Sequence, residues 1–212
     1  MKPVFSDQCR QCPRLATFLD QVKLEYPLYY AKPVPPFGHA NPRLLIVGLA
    51  PGMHGANRSG RPFTGDHAGI ILYETLHRFG FSNQPASVSR DDPLELTDCR
   101  ITNAVKCLPP QNKPEPGEIS NCNQYLSGEL EVLSEGAVVL ALGQIAHKAV
   151  VMARSLKLKD YAFSHGAKHA LPGDLTLYDS YHCSRYNTQT KRLTPLMFDA
   201  VFSDIRNYLQ RN

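Results

Sequence analysis

Four segments of the chain carry side chains suited to chemistry, and each follows an apolar run. The first is the loop Met53 to Gly69, which holds four glycines, Arg58, Arg61, His54, Asn57, Phe63 and Asp66. The second holds Asn103 and Cys107, the third is Gly143-Gln144, and the fourth starts at His182 and continues as SRYNTQTKRL. Polar side chains just past strand ends are where open α/β sheets bind ligands. The first loop is neither known phosphate-binding turn. No G-x-G-x-x-G follows its strand, and no Gly-Lys-Ser/Thr occurs in it. A loop of this length in a compact chain is functional or disordered. Its glycines and Phe63 argue for an ordered ligand-binding turn.

Cysteines supply a second chemistry. Cys9 and Cys12 are spaced to chelate one centre, and Cys107 and Cys122 are separated by fourteen residues, mostly a proline-rich loop. Four thiolates in two pairs suit either Zn2+ or an iron–sulfur cluster, and the spacing does not choose between them. The other two cysteines are Cys99 and Cys183. The N-terminus, MKPVFSDQCR, has no apolar core and does not read as a secretory signal. A cytoplasmic location is expected, where disulfides are rare and cysteines serve as metal ligands or buried thiols.

The elements that must position these residues follow from periodicity. Residues 43–49 and 137–142 are apolar runs with the composition of buried strands, and 100–105 and 175–181 read as two further strands. Helical spacing appears between residues 13 and 30, near 69–80, over 117–134, after Gly143 and from Thr194-Pro195 onward. Residues 31–42 form an extended connector with Pro33, Pro35, Pro36 and Pro42; 81–97 read as turns and 182–193 as a polar loop. Strands alternating with helices predict a three-layer α/β/α sandwich around a central four-stranded parallel sheet. With 212 residues, 42% of them hydrophobic, the chain is long enough for one domain spanning 1–212. No apolar run reaches membrane-spanning length. The net charge of +4 tolerates a nucleic-acid partner without requiring one.

Taken together, GLAPGMHGANRSGRPFTGDHAG, ITNAVKC and SYHCSRYNTQTKRLT resemble, in order, the motifs of the iron–sulfur uracil-DNA glycosylases. Leu49 in GLAPG points to family 5, the type b enzymes, because family 4 usually has an acidic residue there. The resemblance runs from Cys9 to about Thr194. Two positions depart from it: Cys183 replaces the proline that usually follows the histidine, and Gly52 stands where alanine is common.

The resemblance implies a monofunctional glycosylase that flips uracil out of DNA and hydrolyses its N-glycosidic bond, initiating base excision repair. Phe63 would stack on the base. Asn103 would pair with its O4 and N3–H edge, and Gly48, Leu49, Gly52, His54 and Asn57 complete the substrate-binding set. His182 would donate to O2 as negative charge develops. Asp66 would stabilise the cationic sugar and orient water, although it is equally suited to cap the following helix. Ser184, Arg185, Tyr186, Asn187 and Gln189 would contact DNA, with Arg185 or Tyr186 as the wedge that fills the gap left by the flipped base. Cys9, Cys12, Cys107 and Cys122 would hold a 4Fe-4S cluster. The partner is uracil-containing DNA, with no membrane and a monomeric protein. The competing readings are a glycosylase acting mainly on deaminated purines such as hypoxanthine, and a metal-stapled DNA-binding protein without catalysis.

Overall fold

The computed structural model describes residues 5–211. It contains one six-stranded sheet with the order β1-β3-β2-β4-β6-β5. The strands are β1 (Phe37–Gly38), β2 (Leu44–Gly48), β3 (Cys99–Asn103), β4 (Val138–Leu142), β5 (Lys168–Leu171) and β6 (Leu175–Ser180). The helices are α1 (Pro13–Glu25), α2 (Ala56–Ser59), α3 (His67–Arg78), α4 (Pro116–Glu131), α5 (Gln144–Ala153), α6 (Arg185–Gln189) and α7 (Pro195–Arg211).

The four expected strands pair in parallel as β3-β2-β4-β6. The expected strand number is corrected from four to six, because β1 and β5 add antiparallel edges. Both additions lack a buried-strand signature. β1 is two residues inside the proline connector, and only Leu171 of β5 is fully buried. The expected polar loop at 182–193 likewise contains the helix α6, which buries none of its residues.

β2 and β4 are apolar throughout because both of their faces are covered. On β2, Leu44 and Ile46 face a core shared with Leu72 and Leu76 of α3 and Phe198 and Phe202 of α7. Leu45 and Val47 face the opposite layer, with Leu126 and Leu130 of α4 and Ala149 and Val150 of α5. Period-two alternation therefore serves two cores at once. No helix among the described residues is long and apolar enough to cross a membrane.

Register then aligns the strand ends. Gly48 pairs with Asn103, and Leu142 pairs with Ser180. From β2 the chain passes first to β3 on one side and later to β4 on the other. That reversal is a topological switch point, and it opens a crevice beyond the carboxyl end of β2.

Candidate active site

Beyond these strand ends lies a cavity of about 730 Å3. Leu49, Gly52, Phe63, Asp66, Asn103 and His182 all line it. They arrive from the ends of β2, β3 and β6 and from the loop between β2 and α3.

The loop is held by a buried clamp. Arg61 pairs with Asp92, donates to the Arg90 carbonyl, and lies 4.4 Å over the Phe37 ring. The Tyr73 hydroxyl donates to the Pro62 carbonyl at 2.7 Å, and Thr64 Oγ1 meets Ser87 Oγ at 2.7 Å. Between these anchors Phe63 sits at φ 56°, in the left-handed region that a bulky residue rarely adopts. Such conformations persist where the surroundings enforce them, often at binding sites. Here the enforced turn brings the Phe63 ring within 5.9 Å of the His182 ring, at an interplanar angle of 26°.

Two glycines make the floor possible. A Cβ at Gly48 would stand 2.8 Å from Phe63 Cζ and would strike Asn103 Oδ1. A Cβ at Gly55 would lie 2.5 Å from Asp66 Oδ2. Gly48 thus lies beneath the two side chains rather than facing a ligand, and Gly55 makes room for the carboxylate.

Asp66 does two things. It is the N-cap of α3, where its Oδ1 accepts from Gly69 N–H at 2.9 Å. It also lines the cavity. Burial pushes its pKa up and outweighs the Gly69 and Ala68 N–H groups and His67, which pull it down. Desolvation pushes His182 down to about 4. At neutral pH its ring is therefore neutral and carries a single N–H.

The other sequence candidates divide. Ser184 and Asn187 line the cavity, and both are tied into the local fold. Ser184 caps α6, and Asn187 Nδ2 donates to the His182 carbonyl at 2.8 Å. This second bond fixes the backbone at His182. Arg185 lines a neighbouring groove with Arg58 and His67, while Tyr186 is 71% exposed and Gln189 is exposed. His54 and Asn57 are not among the cavity-lining residues. The His54 ring turns to the Tyr29 hydroxyl at 2.8 Å and packs edge-on to Tyr26. Asn57 is fully buried, with no hydrogen-bond partner for its amide among the described residues. The cavity also recruits Asn112, Phe163, Tyr181 and Arg192, none of which sequence reasoning assigned to the base pocket. Arg192 stacks over the Tyr181 ring at 4.7 Å. A cation directly before an apolar residue in a polar tail gives no signal of such stacking.

The cysteines form a second locus. Cys9, Cys12, Cys107 and Cys122 line one recess with Phe5, Leu15 and Tyr125, and none is in a disulfide. Arg14 grips Glu118 through two bonds of 2.8 Å, pinning α1 to the start of α4 and so bringing the two pairs together. Burial raises the Cys107 thiol and raises Cys122 to about 11. The buried thiols of Cys107 and Cys122 resist ionisation on their own, and a cationic centre would relieve this. The Lys106 N–H and Asn121 Nδ2 also donate toward Cys122 Sγ (3.2 Å) and Cys12 Sγ (3.6 Å), the outer bonds typical of cysteine-ligated centres. The donor set fits a four-thiolate metal centre.

Comparison with known proteins gives the family. Residues 35–206 match the family model of the uracil DNA glycosylase superfamily. A type-5 uracil-DNA glycosylase from Thermus thermophilus is 45% identical over 203 residues, covering 93% of this chain and 92% of the relative. One from Pyrobaculum aerophilum is 45% identical over 190 residues, covering 88% and 82%. One from Mycobacterium leprae is 41% identical over 207 residues, covering 93% and 90%.

Proposed function

Because this chain belongs to the uracil DNA glycosylase superfamily, with type-5 relatives over nearly its whole length, we propose that the cavity beyond β2 receives a flipped uracil and that its lining hydrolyses the N-glycosidic bond. The protein is a uracil-DNA glycosylase acting in DNA repair. The observation that carries the residue assignments is convergence. An aromatic face and a desolvated carboxylate from the loop after β2, an amide from the end of β3 and a neutral imidazole from beyond β6 come to one cavity.

The chemistry follows from the charges that develop. Breaking the bond leaves electron density on the pyrimidine and oxocarbenium character on the sugar. Phe63 offers its face to the extruded base, and Asn103 offers a donor and an acceptor to the O4 and N3–H edge. His182, neutral at neutral pH, donates its N–H to O2 as charge gathers there, without protonating the base. Asp66, with Oδ1 committed to Gly69, uses its second oxygen for the cationic sugar and the attacking water. Among the described residues lining the cavity there is no lysine, which supports direct hydrolysis over a Schiff-base route. Arg185 and Tyr186, projecting from α6, are the candidates for the wedge. We read residues 1–212 as one domain, acting as a monomer in the cytoplasm with access to the genome.

Cys9, Cys12, Cys107 and Cys122 would hold a 4Fe-4S cluster. When bound, the cluster supplies a covalent tie among α1, α4 and the exit of β3, and no step of the hydrolysis. Cys122→Ser is expected to lose the visible iron–sulfur absorbance. Its melting temperature should fall by about 5 °C or more, the effect of losing roughly 2 kcal/mol in a chain of this size. Purified wild type with a single zinc and no iron would overturn the cluster assignment.

The activity is tested on matched oligonucleotides carrying uracil or thymine, with alkali to reveal abasic sites. Cleavage at uracil alone is expected. No base release from a folded, metal-loaded protein would overturn the reading.

A further inference from the structure

Behind the cavity wall lies a cluster that takes no part in the proposed reaction. His147 of α5, His169 of β5 and Asp179 of β6 bring ligand-type atoms within 4.8 Å of one another. The side chains of His147 and Asp179 are 1% and 0% exposed, and that of His169 is 16% exposed. His147 Nε2 donates its hydrogen to the Tyr161 carbonyl at 2.9 Å. In the neutral ring this leaves Nδ1 as a lone pair, aimed at Asp179 Oδ1 only 2.8 Å away. Two acceptors in that position need a proton or a metal cation between them.

A proton would serve Nδ1 and Oδ1 alone. It leaves Asp179 Oδ2 and His169 Nε2 buried without a hydrogen-bond partner among the described residues, 3.4 Å apart. Orphaned buried polar atoms are costly and uncommon. A divalent cation would serve all of them.

We infer that His147 Nδ1, His169 Nε2 and the Asp179 carboxylate, through both its oxygens, form a second metal site, separate from the four cysteines, that takes a Zn2+-like ion. Two imidazoles and one carboxylate are a zinc-type set rather than the all-oxygen set that Ca2+ or Mg2+ requires. The Tyr161 carbonyl plays the outer-shell part that orients a metal-bound histidine. With bonds of about 2.0–2.1 Å at tetrahedral angles, ligand atoms stand about 3.3 Å apart. The His169 Nε2–Asp179 Oδ2 spacing of 3.4 Å already matches this, and His147 Nδ1, 2.8 Å from Oδ1, needs about half an ångström more from that second oxygen. The ligands come from three different elements, so the ion would fasten α5 and the edge strand β5 to β6. β6 leads directly to Tyr181 and His182, and the Tyr161 segment carries the cavity-lining Phe163, whose ring lies 5.6 Å from His147. The ion is structural, and the partly exposed His169 side is its route of entry.

The test is made on cluster-loaded protein washed with a chelator and then titrated with Co2+ or Zn2+. One ion should bind per chain beyond the cluster metal. Co2+ should give visible d–d bands without a thiolate charge-transfer band, which separates this site from the cysteine recess. His169→Gln, on an edge strand, leaves the His147–Asp179 pair intact. It should weaken binding by at least the 10–100-fold that loss of an outer-shell partner costs, with the cluster absorbance retained. Zn2+ should raise the melting temperature of the wild type and leave His169→Gln unchanged. Absence of Co2+ binding in the wild type, equal binding in the variant, or a thiolate signature would overturn the assignment.

Discussion

Asp66→Asn is expected to reduce turnover on uracil-containing duplex by about 10²- to 10⁴-fold, the range assigned to a positioned acid–base group, while DNA affinity changes little. The substitution is informative because Asp66 also caps α3. Asparagine is as good an N-cap as aspartate, and its side-chain oxygen still accepts from Gly69 N–H, so α3 stays in place. Only the charge facing the cavity is removed. Asp66→Ala loses the cap as well, and its stability should fall by about 1 kcal/mol. The pair of variants therefore separates the two roles. Single-turnover kinetics and binding isotherms provide the readout, and parallel losses in rate and affinity would remove Asp66 from the chemistry. The pH profile adds a second check. The role needs the ionised carboxylate, and burial raises its pKa above the ordinary value of 3.8. Wild-type turnover should hold on the alkaline side and decline as pH falls through that raised value. In Asp66→Asn the decline should disappear. His182 is pushed down to about 4, so its ring stays neutral across the upper part of this range.

The parts of this design that were legible in the chain are those written in apolar runs. LLIVG and VVLAL, covered on both faces, are apolar throughout, and CRITN and LTLYDS on either side of them keep enough apolar and β-branched residues to read as strands. Their carboxyl ends mark where to look, and Phe63, Asp66, Asn103 and His182 were found that way. The edges were illegible for a physical reason. A two-residue strand such as Phe37–Gly38 carries no periodicity, and KHAL faces solvent along most of its length. Proximity in sequence does not bring His54 and Asn57 into the cavity lining. The turn at Gly52–Gly55 sends the His54 ring toward Tyr29, while the Asn57 amide is buried away from the cavity. Arg61 sits in the polar loop read as a ligand-binding turn, yet its charge is spent on Asp92 and on the ring of Phe37. Phe163 reaches the cavity from a segment between α5 and β5 that has no motif of its own. Its position is fixed by tertiary packing against His147 and Tyr181.

Asn103→Ala is expected to erase most of the discrimination between uracil and cytosine. Asn103 ends β3 in register with Gly48, is 3% exposed, and faces a cavity whose floor is shaped around it. A buried amide held in this way gives a donor and an acceptor to the uracil edge, and cytosine presents the reverse pattern there. A site built to hydrogen-bond its ligand rejects a mismatched one strongly, because the buried polar groups are then left unpaired. Truncation to alanine removes both the attraction for uracil and the penalty against cytosine. With about 1–3 kcal/mol lost per unsatisfied group, kcat/KM for uracil should fall by roughly 10- to 100-fold. That for cytosine should stay level or rise, so the ratio narrows by at least the same factor. Competition between uracil- and cytosine-containing strands in one reaction reads the ratio directly. If both rates fall together and the ratio is preserved, selectivity resides elsewhere in the lining, and Asn103 serves the shape of the floor rather than the reading of the base.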